Sequence, residues 1–241
     1  MKPIVVPVNF SNNSSNAARY AVDLALAIGA DLRLVYVLEF PATVTELPMP
    51  EYVFEEMQRS GQILLQTLTD ELVKRTKGQV NVLSDMEVGG VEYHLEKYCY
   101  RTEPFLVVMG ASGHTLDTVL EGSNTVRAMR GIPYPLLIIP EKAVFHTIKE
   151  IVLACEPEDV GADLPGTLPF LKELHDLFDA HFNVISVSTK DISEGINAYL
   201  GKENADWLIV FPKKHTFFEF HNSKSKKIAR HCPVPVMSVH E

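Results

Sequence analysis

This sequence predicts an α/β protein made of two tandem open parallel sheets of the five-stranded type, the second copy reduced. Three observations predict it. Apolar, β-branched runs alternate with helical patterns along the chain. The order of these segments restarts near residue 148. A Pro-x-Pro pair precedes an apolar run at the end of each copy, at Pro133/Pro135 and at Pro233/Pro235. Strand–helix alternation implies a parallel sheet covered on both faces, and right-handed crossovers follow from chain chirality.

Taken in order, Ile4–Val8 reads as a buried strand. The stretch from Ser11 to Ser15 offers several N-caps, Ala17, Ala21, Leu24, Ala25 and Ile28 recur at helical spacing, and Gly29 closes that helix. Leu32–Leu38 is the next strand, followed by a connection holding Pro41, Pro48 and Pro50. Met57, Leu64, Leu68 and Leu72 mark a long helix ending near Gly78. Val80–Val88 reads as a third strand, Val91–Tyr100 as a short helix and Phe105–Met109 as a fourth strand. Val126–Met129 belongs to a last helix, and Pro135–Ile139 to a fifth strand.

The second copy answers the first piece by piece. Ile151–Cys155 corresponds to Ile4–Val8, and Phe170, Leu171, Leu174 and Phe178 mark the helix that follows. Val184–Val187 answers Leu34–Val37, Leu208–Phe211 answers Leu106–Met109, and Pro235–Val239 answers Pro135–Ile139. The offset is 150 residues at Val37 and Val187 but 102 at Val108 and Val210. About fifty residues are therefore missing after the second strand of copy two, the length of one helix and one strand. Domains at residues 1–142 and 148–241 are expected.

Composition narrows the function classes. The chain has 241 residues, 46% hydrophobic and 22% charged, which is ordinary for a globular protein. No apolar run reaches the ~18 residues a membrane span needs, and the N-terminal stretch lacks a cleavage signal. Cys99, Cys155 and Cys232 are too few and too far apart for a disulfide framework or a metal spacing, which suits a reducing cytoplasm. The net charge of −9 argues against general nucleic-acid binding. One window, residues 213–230, departs from it with an excess of five positive charges; it reads as a solvated helix face or as a contact for an anion or partner.

The stretch after the fourth strand carries the chemistry. Gly110, Gly113 and Gly122 follow the apolar run, and Ser123 adjoins the last of them. Ligands of open α/β sheets sit at the carboxyl ends of strands near the switch point. Glycines let backbone N–H groups approach phosphate oxygens, and a helix opened by Ser123 aims its dipole at the anion. The Ser123 hydroxyl can touch a phosphate or cap its own helix.

With these residues in view, the chain resembles the universal stress protein family in a tandem two-domain form. The resemblance rests on the opening Ile4-Val-Val-Pro-Val-Asn-Phe-Ser11, on Gly110-x-x-Gly113 with Gly122-Ser123, and on the terminal Pro-x-Pro strands. It implies an open five-stranded parallel sheet of the adenine nucleotide alpha hydrolase-like kind, and a stress-response or regulatory role. Nucleotide-binding members use a Gly-x2-Gly-x9-Gly-(Ser/Thr) loop and an Asp ending the first strand. Carried onto this chain, ATP or AMP in the N-terminal domain would touch Pro7, Val8, Asn9, Val37, Met109, Gly110, Gly113, Gly122, Ser123 and Asn124.

This chain departs from that pattern. Eight residues, not nine, separate Gly113 from Gly122. Asn9 stands where the Asp is expected; it brings a donor as well as acceptors and carries no charge, and it also reads as a strand-end turn residue. In copy two the matching loop, residues 211–223, has no glycine, Pro212 removes a backbone donor, and Glu156 stands where Asn9 does. No nucleotide is expected there.

Enzyme signatures fail on spacing. Gly110-Ala-Ser-Gly113 is not Gly-x-Ser-x-Gly, and neither a P-loop, a dinucleotide fingerprint nor a paired-histidine metal motif occurs. His114 falls in the loop and His94 reads as a surface residue. Two functions of different classes stand: a nucleotide-binding regulatory protein, and an interaction or scaffold protein of the same fold that has lost nucleotide binding. A slow ATP hydrolase is a third. For partners, the last strands of the two copies are expected to pack together as an intrachain pseudo-dimer. A homodimer of such chains is expected through Phe217, Phe218 and Phe220 beside Lys224, Lys226 and Lys227.

Overall fold

The computed structural model describes residues 1–39, 50–111, 132–155, 169–186, 205–210 and 234–239. The helix expected at Val126–Met129, the residues Gly113, His114, Gly122, Ser123, Asn124 and Glu156, the loop 211–223 and the basic window lie outside the described residues.

The first half runs β1 (Ile4–Val8), α1 (Asn12–Ile28), β2 (Leu32–Leu38), α2 (Glu51–Arg75), β3 (Val82–Val88), α3 (Val91–Thr102), β4 (Leu106–Gly110) and β5 (Leu136–Ile139). The second runs β6 (Glu150–Cys155), α4 (Pro169–Phe178), β7 (His181–Ser186), β8 (Trp207–Val210) and β9 (Val236–Ser238). Among the described residues the nine strands form one sheet, ordered β3-β2-β1-β4-β5-β9-β8-β6-β7. Neighbours are parallel except at the seam, where β5 and β9 run antiparallel with Leu137 opposite Met237. The strands expected to pack together therefore share a hydrogen-bonded ladder.

Around β6 the strands repeat the order around β1. β6 lies between β7 and β8 as β1 lies between β2 and β4. Nothing corresponding to β3 flanks β7 among the described residues, in keeping with the shortened spacing after the second strand of copy two.

Local chemistry explains the element ends. Ser11 caps α1 in extended geometry and accepts from the Ser14 N–H, while Gly29 ends the helix at φ 69° and returns its N–H to the Ala25 carbonyl. The sheet-facing residues of α1 include Ala17, Ala18, Ala21 and Ala25, all buried, so the helix axis can lie close to the strands. α2 covers the same face farther out. Its Gly61 lies over the Tyr36 ring, where a Cβ would come within 2.6 Å of a ring carbon. Glu71 and Asp23 take bidentate guanidinium contacts from Arg19 and Arg75 and tie α1 to α2. α3 covers the opposite face.

The core is continuous across the seam on the α1 face. One cluster runs from Ile4, Val6 and Leu34 through Leu137 and Ile139 to Ile151, Leu171, Leu174, Trp207 and Met237. On the other face the two halves keep separate clusters, one around Val35, Tyr98 and Val107 and one around Val152 and Leu208. Aromatic contacts on the α1 side include Tyr20 with Phe145, Phe105 with Phe170, and Phe178 with Trp207. The Trp207 indole N–H donates to the Tyr20 hydroxyl at 2.7 Å, a buried bond between residues 187 positions apart. Burial there pushes the Tyr20 hydroxyl well above the ordinary tyrosine range.

Under α3, burial raises the Cys99 thiol from 9.0 to about 12. Burial, and then the hydrogen bond donated to Asp85, raises the Tyr98 hydroxyl from 10.0 to about 12. Both groups are held protonated by folding, so the unfolded chain loses these protons first. Stability is fully present below the unfolded values and is lost as pH rises toward the folded ones. Denaturant midpoints measured from about pH 8 to about pH 11 are expected to fall continuously; a flat profile would contradict this burial.

Candidate functional site

From β1 the chain steps outward through β2 and β3 on one side and through β4 and β5 on the other. The switch point therefore lies between β1 and β4, and the crevice beyond their carboxyl ends is where an open α/β sheet accepts a ligand. Val8, Asn9, Gly110 and Ala111 end the two strands there, with Val37 near the carboxyl end of β2.

Side-chain alternation divides the expected contacts between the two faces. Pro7 pairs with Val35 and Val5 with Val107, and the side chains of Val5, Val35, Val37, Val107 and Met109 gather on the α3 face. Val37 and Met109 sit at its lip, 7% and 8% exposed. Pro7 is half-buried. The Val8 side chain is turned the other way, into the core under α1. So the structure brings Pro7, Val37 and Met109 together and leaves only the Val8 backbone at the crevice.

Asn9 works in the turn between β1 and α1. Its Oδ1 accepts from the Ser11 hydroxyl at 2.7 Å and from the Ser11 N–H at 3.2 Å, and its own N–H donates to the Ser14 hydroxyl at 3.3 Å. A backbone N–H can only donate, so the amide's oxygen end is committed toward Ser11. Phe10 completes the turn at φ 60° with its ring centroid 4.7 Å from that of Tyr36.

Gly110 is glycine for a reason visible in the packing. A Cβ there would lie 2.4 Å from the Asn13 carbonyl oxygen and 2.6 Å from its carbon. The end of β4 thus presses against the first turn of α1, backbone to backbone. The next residue, Ala111, is held at both polar groups: its N–H donates to Ile139 at 2.9 Å, and its carbonyl accepts from Asn13 Nδ2 at 2.6 Å. Asn16 makes a parallel tie to the segment after β5, donating from Nδ2 to the carbonyls of Ala143 at 3.0 Å and Pro140 at 3.3 Å. From the sequence, the polar run Ser11–Ser15 offers only N-caps. Two asparagines at i and i+3 beyond a serine cap were the available signal, since neither is needed for capping.

His94 is more enclosed than a surface position. It lies 3.6 Å from Glu87 and packs over Gly89, whose φ of 137° is one that residues with a side chain rarely adopt. The exposed surface expected for it from sequence is corrected by the Gly89–Gly90 turn, which lets α3 fold back over β3. In the second half, Asp206 accepts from the N–H groups of Lys149 and Glu150 at 2.6 and 2.9 Å, at the amino end of β6, away from the carboxyl ends. Among the described residues no group of three or more His, Cys, Asp or Glu could hold a metal ion, and no helix is long and apolar enough to cross a membrane.

A family model described as the universal stress protein family matches residues 1–140. A universal stress protein of Methanocaldococcus jannaschii is 27% identical over 147 residues, covering 57% of this chain and 81% of that protein. Among solved structures, a universal stress protein from Archaeoglobus fulgidus aligns over 100% of this chain and 96% of its own, with a TM-score of 0.71 at 15% identity. A functionally unknown protein from Pseudomonas aeruginosa aligns over 100% of this chain and 92% of its own, with a TM-score of 0.54 at 11% identity. At such identities the two structures speak for the fold across both halves and for nothing finer.

Proposed function

This chain belongs to the universal stress protein family, and from that premise we propose that it is a stress-response or regulatory protein whose first half binds ATP or AMP at the switch point. The observation that carries this reading is the juxtaposition at the carboxyl ends. Val37 and Met109 form an apolar lip beside Pro7, and the side-chain-free backbone of Gly110 opens the glycine-rich segment next to it. The base would lie against that lip; Gly113, Gly122, Ser123 and Asn124 would hold the phosphates through backbone N–H groups and the hydroxyl.

Residues 1–142 would form the binding domain and residues 148–241 a docked, non-binding domain. The β5–β9 ladder and the core shared across it support reading the chain as its own pseudo-dimer. That ladder also occupies the β5 edge, so a homodimer of whole chains would use another surface.

A second reading is favoured by a specific observation. The Asn9 oxygen is already engaged by Ser11, and Gly110 is required by Asn13 whether or not a nucleotide is present. An interaction protein that keeps the fold without the ligand would retain both features. Mass spectrometry of small molecules released from the purified chain separates the two. Adenine nucleotide recovered in proportion to protein is expected; nucleotide-free protein that also fails to take up added AMP or ATP would favour the second reading.

A further inference from the structure

We propose that Asn13 is a positioning residue for the switch-point site: its side-chain amide fixes where the chain leaves β4, and so sets the backbone from which the glycine-rich segment departs. The inference rests on the nucleotide reading above.

Two independent contacts converge on this junction. The Asn13 backbone carbonyl abuts Gly110 so closely that no side chain fits between them. The Asn13 side chain reaches 98 positions along the chain to the Ala111 carbonyl at 2.6 Å. Ala111 also donates to Ile139 on β5. Both polar groups of Ala111, next after Gly110, are therefore bound, one by the sheet and one by α1. Asn13 itself is immobilised, because it lies in the first turn of a helix capped by Ser11 and seated on the sheet through Ala17, Ala18 and Ala21. A loop that must present N–H groups to a phosphate within hydrogen-bond distance depends on a fixed point of departure. Asn13 supplies it with a neutral donor, which adds no negative charge beside an anion. An aspartate of the same shape would set a carboxylate against a carbonyl oxygen and bring that charge.

The test compares wild type with Asn13→Asp, Asn13→Ala and Asn13→Gln. Two readouts are taken: the carbonyl carbon resonance of Ala111 in the ligand-free chain, which reports the oxygen that Asn13 donates to, and calorimetric titration with AMP and with ATP. Melting curves establish that each variant is folded; Asn13→Ala and Asn13→Gln keep the test open where Asn13→Asp fails to fold. An upfield move of the Ala111 carbonyl carbon resonance, as its acceptor role is lost, and affinity about fivefold to tenfold weaker are expected in Asn13→Asp and Asn13→Ala, in line with the loss of one hydrogen bond. Partial recovery of both is expected in Asn13→Gln, which retains the donor.

An unchanged Ala111 carbonyl resonance overturns the proposal outright. A moved resonance with unchanged affinity, in a wild type that binds, also overturns it and leaves Asn13 a structural tie only. A wild type that binds neither nucleotide overturns the nucleotide reading, and the positioning role falls with it; the carbonyl resonance then shows whether the tie itself exists.

Discussion

Trp207→Ala is expected to destabilise the chain by about 3–5 kcal/mol, the range for emptying a large aromatic site in a core. Trp207 is fully buried in β8, edge-on to Phe178 and hydrogen-bonded to Tyr20 of α1. Its removal opens a cavity at the point where the two halves share a core. It also strands the Tyr20 hydroxyl, which is itself 3% exposed. The milder Tyr20→Phe leaves the indole N–H without its acceptor and is expected to cost about 1–3 kcal/mol. Urea denaturation followed by far-ultraviolet circular dichroism checks both. Coincident unfolding of the two halves is expected, since one cluster spans them. A loss below about 1 kcal/mol for Trp207→Ala would mean that the halves do not share this core.

Gly110→Ala is expected to destabilise by about 3 kcal/mol, the upper part of the range for overpacking a well-packed site. The added methyl would meet backbone atoms of Asn13, which have no rotamer to change. Relief requires α1 or β4 to move, and α1 is seated by its alanines and capped at Ser11. The same substitution at Gly90, with φ −74° and nothing within 4 Å of the added carbon, is a control expected to change stability by less than about 1 kcal/mol. Thermal melts of the two variants compare them directly. Equal effects at Gly110 and Gly90 would contradict the close approach of β4 to α1.

The elements that carried strong local signals were legible. β1 and β2 have the bounds their apolar runs imply, and α1 has the cap and the terminal glycine that its sequence announces. Bounds set by partners were not. β3 begins at Val82 rather than Val80 because its ladder starts where β2 starts, at Leu32. β7 begins at His181, three residues before the apolar Val184, because it follows Glu150 in register. The polar His181 and Asn183 belong to a strand whose outer edge is unpaired among the described residues, and a search for apolar runs passes over them. Pairing at the seam was legible from the two Pro-x-Pro strands; the Tyr20–Trp207 bond was not, since nothing local marks a contact between such distant residues. The resemblance implies that Pro7, Val37, Met109 and Gly110 gather near the carboxyl ends of the strands, and their place in the sheet agrees with that. Asn13 was not legible, because its role depends on how closely α1 approaches β4, a distance set by alanine packing and not by any motif.

Calorimetric titration of AMP and of ATP into the wild-type chain and into Gly113→Val tests the central claim most directly. Saturable binding at a single site per chain is expected in the wild type, with loss of that binding in the variant, whose branched side chain would stand in the phosphate path while its melting curve stays cooperative. Absence of binding by the wild type, or equal affinity in Gly113→Val, would contradict it.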